Sequence, residues 1–208
     1  MKRISILLLV LFVCFALAAW SQARPQLANK IITFEAPGAG KGAFQGTQAF
    51  GVNWLGEIVG FYYDPSGATH SFLRQPNGTF KEFDPTGSTS TFSIAINQEG
   101  AVAGYYVDAN NVWHGYLRAP DGTITTFDAL GAGTGAGQGT IAGDINDLGV
   151  IAGYYTDANN VSHGFLRTPE GIFSTFDAPG AGTGAGPRYL PHVLLLPYRF
   201  RGEYGILR

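Results

Sequence analysis

A chain of 208 residues with a formal net charge of −2 and only 13% charged side chains has no reserve of clustered Lys and Arg for a nucleic-acid backbone. Its one cysteine, Cys14, lies in an apolar N-terminal run, which excludes a disulfide framework or a thiolate metal site in everything beyond it. Cohesion has to come from packing and strand pairing.

The first element reads as an export signal. Lys2 and Arg3 make a basic start, residues 4–19 an apolar run, and small residues offer cleavage after Ala18 or Ala23. This is the pattern of a secretory signal peptide over residues 1–23. The run is short for a membrane span, so the expected location is secreted or periplasmic, with no stable span after signal removal. Without Lys2 and Arg3, the 13 basic residues fall to 11, against 15 acidic.

Residues 24–186 carry a repeat. The opening "KIITFEAP" at 30–37 matches the later "IFSTFDAP" and is expected as a lone strand. Three units follow, at about 45–87, 88–137 and 138–186. Asn53, Asn97 and Asn146 each precede a glycine by three residues, and each is followed by His70, His114 or His163 and then by Asp84, Asp128 or Asp177 at constant spacing. Each unit offers four strand-like segments. The first turn is written "NWLG", "NQEG" and "NDLG". The second is "DPSG", "DANN" and "DANN", with Asp64, Asp108 or Asp157 suited to cap it and Gly67, Asn111 or Asn160 where a left-handed residue is wanted. The third closes on Pro-x-Gly. No segment has a helical period. Four short antiparallel strands in a unit of this length predict an all-β, β-propeller-like array of four-stranded blades, incomplete at about three blades plus the lone strand.

Residues 187–208 show no repeat feature and form a distinct tail. If Gly186-Pro187-Arg188-Tyr189 is encoded GGG CCA AGG TAC, moving the frame by one nucleotide reads Gly-Gln-Gly-Thr, the string that opens the third unit. A frameshift is one expected origin of the tail; the rival is a genuine apolar C-terminal segment, which with four Arg and three Pro makes a poor membrane span.

The thrice-written "HSFLR", "HGYLR" and "HGFLR", with the Asn-led turns, resemble the bacterial probable extracellular repeat family called HAF, after a His-Ala-Phe signature followed by Leu. The resemblance covers about residues 31–186. Ser71, Gly115 and Gly164 stand where that family favours Ala, and Arg stands where an aromatic is frequent. The resemblance implies export and a repeated architecture. It brings no established catalytic residues, so no role transfers.

The recurring polar positions are His70, His114 and His163, Arg74, Arg118 and Arg167, and Asp84, Asp128 and Asp177. One histidine per unit would suit a ring of metal ligands about an axis. The alternative is a structural network, because buried polar groups must be paired. Strand alternation puts His163, Phe165 and Arg167 on one face, from which Arg167 is expected to pair with Asp177 and Arg118 with Asp128. The structural reading is preferred, and no residue is assigned a catalytic, cofactor or metal role.

Three strings mimic other chemistry. "GAGKG" at 38–42 and "GAGTGA" at 131–136 suggest nucleotide loops, but no helix follows to receive a phosphate, so they read as connectors. "GDINDLG" at 143–149 offers Asp144, Asn146 and Asp147 in the manner of a calcium loop, but the other units lack the acidic pair. Calcium is the one cofactor admitted, and the balance is against it. Trp54 and Trp113 suit sugar stacking or packing between units.

The expected function is a secreted, non-catalytic binding or scaffold module for an extracellular glycan or protein, with self-association through unpaired strand edges. The alternatives are an extracellular propeller-type lyase or hydrolase and a nonfunctional truncated product. A catalytic site breaks the symmetry of a repeat, and no unit is expected to carry a His, Glu or Tyr of that kind that its counterparts lack. The enzyme question leans to no.

Overall fold

A computed structural model describes residues 31–182 and 184; the expected signal segment and the 187–208 tail lie outside the described residues. The described chain is all-β, with twelve strands and no helix. The first unit contains β1 (Gly46–Val52), β2 (Ile58–Tyr63), β3 (Thr69–Arg74) and β4 (Phe80–Phe83). The second contains β5 (Ser90–Ile96), β6 (Val102–Val107), β7 (Trp113–Arg118) and β8 (Ile124–Phe127). The third contains β9 (Gly139–Ile145), β10 (Ile151–Thr156), β11 (Ser162–Arg167) and β12 (Phe173–Phe176).

Turn chemistry sets these boundaries. Asp64, Asp108 and Asp157 each accept two backbone N–H groups through Oδ1, from Ser66 and Ala68, Asn110 and Val112, and Asn159 and Val161, at 2.8–2.9 Å. Gly67, Asn111 and Asn160 then take positive φ of 90°, 60° and 62°, a conformation that Gly and Asn tolerate best. The second strand of each unit contains one glycine that no other residue replaces. A Cβ on Gly60, Gly104 or Gly153 would land on the carbonyl oxygen of Gln48, Phe92 or Ile141 in the first strand. Those first strands share a bulge, centred on Phe50, Ile94 and Gly143, which bends them at the same place.

Each unit is an antiparallel meander. β1 to β4 form a sheet of their own, and the other eight strands form a second sheet. That second sheet is two meanders joined by one parallel pair, Trp113 with Gly139. The junction exists because β8 is short and covers only Gly115–Arg118 of β7. The end of β7 that β8 leaves unpaired is met instead by the incoming strand, with Trp113 N donating to the Gln138 carbonyl at 2.8 Å. Neither sheet closes on itself.

Side chains tie consecutive units together. Val59 and Leu73 of the first pack with Ile96 and Val102 of the second. Phe61, Phe92, Val107, Trp113 and Ile141 make a cluster drawn from all three. Burial of a side chain such as Leu73 contributes about 1.5–3 kcal/mol. Polar contacts run in the same direction. Asn53 Nδ2 donates to the Asn97 carbonyl at 3.3 Å, and Asn97 Nδ2 to the Asn146 carbonyl at 3.2 Å. One step along each turn, Trp54 N donates to Gln98 Oε1 and Gln98 N to Asp147 Oδ1.

The two glycine-rich connectors share one construction. Ala36 N and Ala129 N donate to Thr47 and Thr140 hydroxyls eleven residues on. Gln45 and Gln138 accept from Gly42 and Gly135 and donate to the carbonyls of Pro65 and Ala158 in the second turn of the unit each connector enters. No helix follows either string. The lone strand expected at 30–37 does not form over its described part, residues 31–37.

Candidate functional site

The same polar cluster is built in every unit. Register sets a tyrosine of the second strand opposite the histidine of the third: Tyr62 with His70, Tyr106 with His114, Tyr155 with His163. The ring centroids are 5.4, 5.0 and 5.0 Å apart. Histidine Nδ1 then meets the aspartate that follows the fourth strand, at 2.7 Å for Asp84, 3.0 Å for Asp128 and 2.9 Å for Asp177. Nε2 faces the turn aspartate, Asp64, Asp108 or Asp157, at 3.7 Å in all three. Each imidazole therefore sits on a tyrosine between two carboxylates.

The electrostatics follow from these contacts. The Ser66 hydroxyl, with amides of the turn and His70, holds Asp64 below the usual carboxylate range. At Asp157 the Val161 amide leads the same effect. At Asp108 burial pushes upward, but the Val112 and Asn110 amides and the Asn110 side chain outweigh it. Burial lowers His70, yet the Asp84 hydrogen bond and the charges of Asp84, Glu82 and Asp64 together raise it.

The histidines and the three aspartates Asp84, Asp128 and Asp177 are thus brought together, but the arginines are not with them. The expected pairs Arg118–Asp128 and Arg167–Asp177 do not form. The register explains why: Arg167 stands opposite Phe173, at the start of β12, while Asp177 follows its end beside His163 and Gly164. The guanidinium groups turn to the neighbouring unit instead. Arg118 lies 4.8 Å above the Phe83 ring and Arg167 4.7 Å above Phe127, each contributed by the preceding fourth strand. Arg74, in the first unit, lies 5.9 Å above its own Phe80.

The three histidines do not share a ligand set among the described residues. The acidic string of the third unit has its oxygens on main-chain amides: Asp144 accepts from Ile145, Asn146 from Leu148 and Val150, and Asp147 from Gln98. Of the two tryptophans, Trp113 is buried in the cluster between units, whereas Trp54 is 93% exposed at the tip of the first turn.

One residue was missed. Glu82 stands in β4 where the second and third units have Thr126 and Thr175, each opposite an aromatic of the third strand. Tyr62 donates its hydroxyl to Glu82. The group His70, Glu82 and Asp84 places one ligand atom from each within 4.8 Å of the others. The expectation that no unit carries a unique polar residue is therefore corrected. The signal was present: "FKEFD" against "ITTFD" and "FSTFD". It was hidden because an exposed Glu in an edge strand reads as ordinary surface.

No family model matches the chain, and no curated protein or solved structure matches it. The chemistry rests on the geometry alone.

Proposed function

We infer that the three meanders are blades of a propeller-type repeat, as the likeness to the extracellular HAF repeats implies, and that the chain acts outside the cell as a non-catalytic binding and scaffold module. Its partners are extracellular proteins or glycans, with Trp54 as an aromatic platform at the exposed first turn. The observation that carries this reading is the state of the two end faces. Val52 is 65% exposed where its counterparts Ile96 and Ile145, covered by a preceding unit, are 8% and 6% exposed. Leu166 is 42% exposed where Leu73, covered by a following unit, is 4% exposed. Among the described residues, the first and third units thus present the surface that the interior of the array uses for stacking, and stacking is a mode of association this surface fits.

Light scattering coupled to size exclusion tests this. Discrete particles larger than one chain are expected, reduced to single chains by Val52→Asp combined with Leu166→Asp. A wild-type protein that stays monomeric at high micromolar concentration sinks the reading, and irregular aggregates support the truncated-product alternative. The lyase or hydrolase alternative draws on one observation, the Glu82 carboxylate beside His70 in a single unit.

A further inference from the structure

We propose that the first unit holds a divalent transition-metal cation between His70, Glu82 and Asp84, a site the other two units lack. The donor set is one imidazole and two carboxylates, which suits zinc-like ions better than calcium, whose sites are made of oxygen alone. Three protein ligands leave a coordination position open to water or to a partner's group.

The surroundings are those of a metal ligand set. A bound histidine characteristically presents its second nitrogen to a carboxylate, which fixes the tautomer and ring orientation. With Nδ1 turned to Asp84 at 2.7 Å, the Nε2 of His70 faces Asp64 at 3.7 Å. Glu82 is held in turn by Tyr62, whose hydroxyl donates to its carboxylate. Glu82 and Asp84 are two residues apart along one strand direction and point to the same side. A cation there offsets the repulsion between them. Ligand atoms around such an ion sit roughly 3–3.5 Å apart. The His70–Asp84 pair, at hydrogen-bond distance of 2.7 Å, opens slightly to reach that spacing, and Glu82, exposed, closes on them by a rotamer change.

The repeat supplies its own control. His114 with Asp128, and His163 with Asp177, reproduce two of the three ligands on the same scaffold, with Tyr106 and Tyr155 in the Tyr62 place. Only the third ligand differs, as Thr126 and Thr175.

The test is titration calorimetry of the untagged full chain with Zn2+ alone, and with Ca2+ for comparison. One Zn2+ per chain is expected, bound more tightly than Ca2+. Glu82→Thr, which installs the residue the other units fold with, is expected to weaken Zn2+ at least tenfold (about 1.4 kcal/mol). Thr126→Glu is expected to raise the stoichiometry to two. The proposal is overturned if the wild type takes up no Zn2+ at millimolar concentration. It is equally overturned if Glu82→Thr binds as the wild type does, if Thr126→Glu adds no site, or if Ca2+ is preferred. The outcome does not depend on stacking through the end faces, which light scattering reads separately.

Discussion

Tyr116 Oη and Ser93 Oγ lie 2.7 Å apart in a fully buried contact, and Ser71 Oγ of the first unit completes the group at 3.3 Å. The counterparts of Tyr116 are Phe72 and Phe165, neither of which has a hydroxyl to satisfy. The small residues around them follow suit: where Tyr116 meets Ser71 and Ser93, Phe165 has Gly115 and Ala142 at the corresponding positions. A buried hydroxyl and its hydrogen-bond partners have changed together, as the cost of an unpaired polar group requires.

Tyr116→Phe should therefore destabilise the chain by about 1–2 kcal/mol, because two buried serine hydroxyls lose their partner. Adding Ser93→Ala should recover part of that loss. Urea denaturation of the four members of the cycle measures it. Two strictly additive single effects would show that the serines were never coupled to Tyr116.

The asparagine ladder predicts a gradient along the array. Asn97 is buried, accepts from the Glu99 and Ala101 amides and donates to the next unit at Asn146. Asn146 caps its own turn in the same way but is exposed. Asn97→Ala is expected to cost roughly 2–3 kcal/mol and Asn146→Ala about 1 kcal/mol. Equal losses in a chemical denaturation series would remove the stacking interpretation of the ladder.

Acid should weaken the turns in a defined window. Asp108 and Asp157 titrate below the usual carboxylate range in the folded chain, held there by the amide and asparagine contacts described above. A group depressed by folding contributes stability that is fully present above its unfolded value, about 3.9, and is lost as pH falls through the folded value. The melting temperature should decline below about pH 4. In the double variant Asp108→Asn/Asp157→Asn that decline should flatten, since the amides keep an acceptor that does not titrate. An unchanged acid slope in the variant would assign the decline to other carboxylates.

How far the sequence carried the reading depended on how local each feature is. The Asp-led turns, the left-handed Asn111 and Asn160 and the four-strand unit were legible, because each is decided within a few residues of chain. The placing of Asp84, Asp128 and Asp177 was not. Alternation puts Arg and His on one face, but only the register reveals that the aspartate lies at the histidine end of the hairpin. The Tyr116 group was also out of reach, since Ser71 lies 45 residues away in another unit. Glu82 was visible in the aligned fourth strands, but its meaning required Tyr62 and His70 to be seen beside it.

The arginine stacking gives the sharpest check on that register. Arg118 is buried, with its guanidinium over the Phe83 ring and Nη1 donating to the Ala119 carbonyl at 3.3 Å. A lysine there keeps the charge but loses the planar face that stacks, so Arg118→Lys should cost about 1–2 kcal/mol. Combined with Phe83→Leu, the two effects should be non-additive by roughly 0.5–1 kcal/mol. Combined with Asp128→Asn, Arg118→Lys should be additive, because Asp128 belongs to His114 at the other end of the strand. Both cycles are read from chemical denaturation midpoints with a common slope. A coupling that appears with Asp128 and not with Phe83 would restore the salt bridge that alternation alone suggests, and would overturn the observed register of β7 and β8.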